Sequence, residues 1–412
     1  MATPSITMIP SGYKSEKVYS VLPTNGDGDL TFDRNNIGTR VNKNGLIEQV
    51  ATDIPRLDYS DGSCPSLLSE PASLNLALYS EDFSQWWQET NSTVTTNQTT
   101  SPSGDLTADK LQRTSTTYSY LGKGISKATQ QLNMTISIFV KQGEGDFFTI
   151  RGQGDYPNRI DAIYQFSTNE LNTSVGGNNF TVINSSVKEH INGWVRLSIS
   201  FNTDNFGSFQ TFFCPRNTSG FIDNNDSSSS SFVYIWGAQL EEQRYATSYI
   251  PTTIETVSRS ADWCSKTGLS SYISSTAGVL YAEIASLSSE DESTRIISLN
   301  DGGDINRVFI GFLSSGRTYA AINNQPVEYF TPTDPTVFHK VAIKYEDNNT
   351  KFFANGNQIG STETTQTVPS GLSQIKFTDG GASSNRFYGK VKDLRVYNTA
   401  LTDLELQELT TI

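Results

Sequence analysis

Residues 134–141 read MTISIFVK. Met134, Ile136, Ile138 and Val140 fall on every second position, which is the period of a strand with one face in a core and not the 3.6-residue period of a helix. Similar runs follow: DFFTIRG, RIDAIYQF, FTVINSSV, GWVRLSISF, SFQTFFC and FVYIWGAQLE. Each has the length of a strand, is rich in β-branched and aromatic residues, and is bounded by Gly, Asn, Asp or Pro. Their spacing reads as an antiparallel sandwich or jelly roll over residues 73–256. NNDSSSSS (224–231) reads as a polar, flexible loop joining two of the strands.

A polar joint, residues 257–276 (VSRSADWCSKTGLSSYISST), leads to a second strand series over residues 277–412. GVLYAEIASL, RIISLND, RVFIGFLS, TYAAINN, HKVAIKYED, TKFFANGNQIG, QIKFTDG and GKVKDLRVYN are again short strands, with turns supplied by NNT, ANGN and DGG. One helix is predicted, LTDLELQEL (401–409), with Thr402 as N-cap and Glu405 as its capping-box partner. Residues 1–72 lack sustained periodicity and hold only short apolar pieces such as VYSVLP, DLTF and GLIEQV. Such a segment can scarcely bury a core of its own, so it is expected to anchor the chain against a neighbouring chain or a larger assembly. The fold class is therefore all-β: an extended N-terminal anchor followed by two antiparallel β-sandwiches. RLDYSDGSCPSLLSEPASLNLALYSEDFSQWW (56–87) is then the joint entering the first sandwich, where Asp58 and Glu70 serve folding or assembly rather than turnover.

Composition supports the class and excludes others. The chain has 412 residues with 22 Phe, 18 Tyr and 5 Trp, too many rings for a disordered chain. A net charge of −13 argues against a nucleic-acid partner, which needs clustered Lys and Arg. There is no run of 18 apolar residues, so no membrane insertion is expected, and the N-terminus shows no apolar stretch of a secretory signal. Cys64, Cys214 and Cys264 are too few and too widely spaced for a disulfide framework or zinc motif. Three buried free thiols are expected, although a bridged pair remains open.

VFHKVAIKYEDNNTKFFANGNQIGS and GKVKDLRVYNTALTDLELQEL resemble the laminin-G-like, concanavalin A-like lectin sandwich. Phe338-His339 stands for that family's Trp-His, and Ala354-Asn355-Gly356 for its Val-Asn-Gly turn. Asp393, Arg395, Tyr397, Ala400, Leu401 and Glu405 match its closing strand and helix. FDRNNIGTRVNKNGLIEQV (32–50), PRLDYSDGSCPSLLSEPASLNLALYSEDFSQW (55–86) and WGAQLEEQRYATSYIPT (236–252) resemble a signature of phage tail, fibre and head-appendage proteins. In those proteins the segments flank a carbohydrate-binding-module-like jelly roll. The resemblance implies a structural virion protein displaying glycan-binding-type sandwiches for host-surface attachment. It further implies contact with other virion proteins through residues 1–72 and, by analogy with fibres, a homotrimer. A polysaccharide-degrading depolymerase and a ligand-free cement protein are the alternatives.

Chemistry at individual residues points to binding. His190 and His339 are the only histidines, and no G-x-S-x-G stretch exists, so nucleophilic catalysis is not expected. Among 43 acidic residues the pair Glu241-Glu242 is the first to test for glycosidase chemistry, against the expectation of a solvated strand end. Sugar faces stack on rings and hydroxyls need amides or carboxylates. The carbohydrate-binding candidates are therefore Trp86, Trp87, Tyr118, Tyr120 and Tyr156 in the first sandwich. In the second they are Arg307, Tyr319, Asn385 and Arg386, with Asp301 beside them. Trp86 and Trp87 cannot both face inward in an extended chain, whereas Trp194 and Trp236 lie inside strands as core. No cofactor is expected beyond a Ca²⁺ ion held by Asp301, Asp304 and Asp379, with Asn385, in the Asp-Gly-Gly loops.

Overall fold

The computed structural model describes residues 2–289, 293–381 and 384–412. The chain is all-β and divides into two units: Met1–Lys43, Gln49–Pro71 and Ser260–Ile412 form one, and Asn44–Glu48 with Ala72–Arg259 the other.

The second unit is the sandwich that the alternating runs predict. Among the described residues it has two six-stranded antiparallel sheets. One runs Gln88–Thr90, Tyr120–Ser126, Ser208–Arg216, Phe147–Gln153, Arg159–Gln165, Glu170–Gly176 in spatial order. The other runs Ser92–Thr99, Ala108–Arg113, Phe232–Glu241, Asn133–Glu144, Trp194–Asn202, Thr181–Glu189. Met134, Ile136, Ile138 and Val140 all enter the core between the sheets, with Leu121, Ile150, Ile160, Phe209 and Phe213. Phe139, on the alternate face, packs with Trp194, Trp236 and Tyr249 in a second cluster. The 217–231 loop is pinned rather than loose. Arg216 donates to the carbonyls of Thr218, Phe221, Asn224 and Asn225, and Asp226 accepts from Asn217 N and Thr218 N.

The first unit differs from the expected division of the chain. Residues 1–72 do not stand apart. Ile6–Met8 pairs with Gly389–Tyr397, Leu30–Asp33 pairs with Trp263–Lys266, and Ser66–Ser69 pairs with Gly389–Tyr397. Ile6, Met8, Val18, Leu30, Phe32 and Leu67 are buried in one core with Leu280, Ile310, Val341 and Leu394. Lys17–Val18 pairs nearby with Leu30–Asp33, but Ile6–Met8, Leu30–Asp33 and Ser66–Ser69 each have a strand partner more than two hundred residues away, so burial against a neighbouring chain is not required of them. Residues 257–276 are likewise not a linker. Val257–Arg259 pairs with Ser73–Asn75 in the second unit, while Trp263–Lys266 is a strand of the first unit and Leu269 and Ile273 lie in its core.

A buried ion network ties these segments together within the first unit. Arg56 Nη1 donates to Glu70 Oε2 at 2.5 Å and Arg56 Nη2 to Asp262. Arg34 Nη1 reaches Asp262 Oδ1 at 3.3 Å, and Arg34 also donates to the carbonyls of Asn36, Val50, Ala51 and Ile54. The charges of the Arg56–Glu70 stretch are therefore structural. The predicted helix is Asp403–Thr410, and it is the only α-helix among the described residues. Thr402 caps it by accepting from Glu405 N while Glu405 accepts from Thr402 N. No helix among the described residues is long and apolar enough to cross a membrane.

All three cysteines are free; Cys214 and Cys264 are buried, but Cys64 is exposed. It sits in the Asp-Gly-Ser-Cys turn before Ser66–Ser69, where no core faces it.

Candidate functional site

The register of the first sheet of the second unit decides what its outer face carries. Leu121, Phe213, Ile150 and Ala162 lie opposite one another across four strands and point into the core. Their sequence neighbours must point outward. One outward row is Gly122, Phe212, Arg151, Asp161; the row two residues along is Gly124, Gln210, Gln153, Arg159. The 217–231 loop lies over the first row: its Ile222 packs with Phe212, Cys214 and Tyr120, and Thr149 Oγ1 donates to Gly220 O at 2.8 Å. The second row is left as an open ledge with that loop as its wall.

Polar groups on this face fall into two kinds. The charges are mutually compensated. Buried Arg151 donates Nε to Asp161 at 2.6 Å and Nη1 to both oxygens of Asp223 at 2.8 and 2.9 Å. Arg159 Nε donates to Asp161 at 3.0 Å. The amides are not compensated. The half-buried side chains of Gln153 and Gln210 have no hydrogen-bond partner among the described residues, nor has the buried Oε1 of Gln88. Each amide offers a donor and an acceptor, as a sugar hydroxyl requires.

Two large rings flank the ledge. Trp87 is 67% exposed and Tyr156 is 69% exposed. Phe83–Gln85 is a single 3₁₀ turn capped by Asp82, after which Trp86 is extended, so successive side chains diverge. Trp86 turns inward, 2% exposed, stacked on Phe213 at 5.3 Å. Its neighbour turns out, and Trp87 Cζ2 would stand 3.7 Å from a Cβ placed at Gly124.

Of the five ring candidates in this unit, Trp87 and Tyr156 reach the ledge. Trp86 is core, a correction to its candidacy. Tyr120 is half-buried, edge-on to Phe212 at 5.0 Å. Tyr118 is exposed but lies beyond the loop, beside Asn91, whose Nδ2 donates to its carbonyl. Gln88, Gln153 and Gln210 were not candidates from sequence.

Elsewhere in this unit an open cleft of about 330 Å³ is lined by Glu81, Asp82, Ser84, Thr96, Asn97, Thr107 and Asp109. Burial pushes the Asp109 carboxyl up to about 6, against the opposing pull of the Phe83 and Asn97 amides that it accepts. Burial raises Glu81 as well, offset by the Tyr249 hydroxyl at 3.0 Å. A carboxyl whose folded pKa exceeds its unfolded value contributes stability below the unfolded value of 3.8 and loses it as pH rises through about 6. Carbon-detected NMR should show Asp109 titrating near pH 6. A midpoint near 4 would contradict this burial.

Glu241 is not a solvated strand end. It is fully buried, accepting from Ser73 Oγ at 2.6 Å, Gln239 Nε2 at 2.7 Å, and Thr247 N and Oγ1 at 3.1 and 2.5 Å. Glu242 alone is exposed.

The candidates of the first unit meet around one loop, but as packing. Arg307 donates to Asp379 O at 2.5 Å, Asn324 Oδ1 at 2.6 Å and Asn323 O at 3.2 Å, with its guanidinium over Phe309. Tyr319 is buried edge-on to Phe309. Asn385 is exposed, and Arg386 lies over Trp263 at 4.7 Å. Ala382 and Ser383 of this loop lie outside the described residues. Asp301 accepts from Gly303 N and Asn306 Nδ2, both at 2.8 Å; Asp379 Oδ2 accepts from Ser384 and Asn385; Asp304 is exposed. Asp379 Oδ1 is buried without a hydrogen-bond partner among the described residues, but among those residues no group of three or more His, Cys, Asp or Glu is arranged to hold a metal ion. The Asp-Gly-Gly glycines instead permit close backbone approach, since a Cβ at Gly380 would fall 2.1 Å from Gly303 O. His339 is buried, its Nε2 2.7 Å from Thr318 Oγ1, and burial lowers its pKa.

Comparison with known proteins identifies one domain. Residues 275–407 match the family described as the concanavalin A-like lectin/glucanases superfamily, of laminin-G type. The C-terminal part of the first unit is thus similar to concanavalin A-like, laminin-G-type domains. No curated protein matches the chain. Among solved structures, the Ruminococcus gnavus IT-sialidase CBM40 bound to α2,3 sialyllactose is similar at 18% identity and a TM-score of 0.28, covering 33% of this chain and 84% of that one. The leech intramolecular trans-sialidase is similar at 20% identity and a TM-score of 0.28, covering 34% of this chain and 24% of the enzyme. A native heptameric SAP-like pentraxin from Limulus polyphemus is similar at 16% identity and a TM-score of 0.28, covering 34% and 73%. Likenesses this distant carry no inference about ligand.

Proposed function

We propose that the chain is a glycan-binding display protein that holds sugar on the Gln210–Gln153 ledge without cutting it. The observation that carries this reading is the pair of unpartnered amides between two exposed rings, on a face whose charges are already satisfied. The lectin-type domain at residues 275–407 supports it. With the resemblance of residues 32–50, 55–86 and 236–252 to phage appendage proteins, the reading becomes a virion protein that attaches to a host-surface glycan. Exposed Ile9, Tyr19, Val21 and Ile37 are then its surface for other virion proteins and for sister copies in a homotrimer.

Titration of the purified protein against a glycan panel tests the central part. Trp87→Ala is expected to weaken the bound glycan about tenfold, from lost stacking and lost apolar burial, while leaving the melting temperature unchanged because Trp87 is outside the core. No reducing ends should appear during incubation. Wild-type affinity in Trp87→Ala would refute the ledge as the site.

A further inference from the structure

We infer that the ledge takes an uncharged, linear oligosaccharide laid across the strands, rather than a single sugar or a polyanionic chain. The inference rests on the glycan-binding reading of the same face and specifies its ligand.

Length comes from the register. Gly124, Gln210, Gln153 and Arg159 are consecutive cross-strand partners, so the row spans three strand spacings, about 14 Å. Trp87 stands at the Gly124 end. Tyr156 stands at the other, its ring facing the Arg159 guanidinium at 5.8 Å. One pyranose cannot touch both rings, whereas a short chain can stack a unit on each and give its middle hydroxyls to the two amides. Direction comes from the wall. Ile222 and the Arg216-bonded loop cover the neighbouring row, which leaves the strip perpendicular to the strands as the course of a bound chain.

Charge comes from the pairing. Arg151 and Arg159 are matched by Asp161 and Asp223, so the strip has no surplus cation for a carboxylate or sulfate on every unit, and the chain's net charge of −13 opposes a polyanion at long range. The floor has room. Gly124 has no positive φ, and a Cβ there would meet Trp87 and Gln210 only at 3.7 and 3.8 Å, ordinary contact distances. A Cβ at this position fits without a clash, so a small β-branched residue, which suits a strand, is the plug that intrudes on the strip.

Calorimetry with neutral hexose and N-acetylhexosamine oligomers of one to six units, and uronic acid oligomers of matched length, tests this. For the neutral series affinity should rise at least tenfold between one and four units, then level off, with little dependence on salt. Gly124→Val should abolish binding at an unchanged melting temperature. Tyr156→Ala should leave the shortest ligands unaffected and remove the gain with length. Tighter binding of the uronic acid series that falls with salt overturns the neutral-chain inference while leaving glycan binding intact. Affinity independent of length, or full binding by Gly124→Val, overturns the course across the strands. Absence of binding to every oligomer removes the glycan-binding reading itself, and this inference with it.

Discussion

Asp262→Ala is expected to destabilise the first unit by about 3–5 kcal/mol and to lower its melting temperature by roughly 10 °C. Asp262 meets both Arg34 and Arg56, and its Oδ2 also accepts the Glu70 amide at 2.8 Å. All three ionic side chains are essentially excluded from water. Removing the carboxylate leaves two guanidinium groups buried with less compensation, and desolvated charge without its partner is among the largest single-residue costs known. The effect should fall on the first unit, to which Arg34, Arg56, Glu70 and Asp262 all belong. Asp61→Ala makes the comparison: its bridge to Lys390 is one-third exposed on the carboxylate side and should be worth under about 1 kcal/mol. Thermal unfolding of both variants measures the contrast. Equal, small shifts would show that the buried network is not what fastens residues 34–70 to Asp262.

The same network shows why the division of the chain was not legible. Alternation is a local signal, and it reported both strand series and the capped helix at Asp403–Thr410 correctly. Membership of a sheet is not local. Leu30–Asp33 pairs nearby with Lys17–Val18, but its other partner is Trp263–Lys266, and Ile6–Met8 pairs with Gly389–Tyr397; nothing within a few residues of either strand encodes the distant pairings. The conspicuous charges of the Arg56–Glu70 stretch suggest a joint or a site in isolation. They are buried anchors because Asp262 arrives from the far end of the sequence.

Legibility of the site followed the same line. That one of Trp86 and Trp87 must face out follows from strand geometry, and Trp87 does. Which one faces out was fixed by the capped turn at Phe83–Gln85, a detail the apolar pattern does not carry. Gln153 and Gln210 were missed because a glutamine on the solvent side of a strand is ordinary. They become a site only when the register places them side by side between two exposed rings. The Asp-Gly-Gly loops show the opposite limit: their composition suits calcium, while Asp301 accepts within its own turn and Asp379 Oδ2 accepts from Ser384 and Asn385, partners that composition alone does not reveal.

In the second unit the corresponding large effect is Glu241→Ala, expected to cost about 4 kcal/mol because four buried donor groups lose their acceptor. Ser73 Oγ, Gln239 Nε2 and both Thr247 donors converge on this carboxylate, and Gln239 Oε1 in turn accepts Ile250 N at 2.6 Å. The carboxylate therefore fastens the start of the unit, its Phe232–Glu241 strand and the 247–250 segment to one another. Glu242→Ala, one residue along and exposed, should shift stability by no more than about 0.5 kcal/mol. The pair also separates binding from catalysis. A glycosidase needs two carboxyl groups facing one substrate, whereas Glu241 faces only its own chain and its neighbour faces water. If Glu241 were catalytic, Glu241→Gln would retain the fold and lose hydrolysis of host polysaccharide. If it is the structural acceptor described, chemical denaturation will show Glu241→Ala strongly destabilised and Glu242→Ala unchanged.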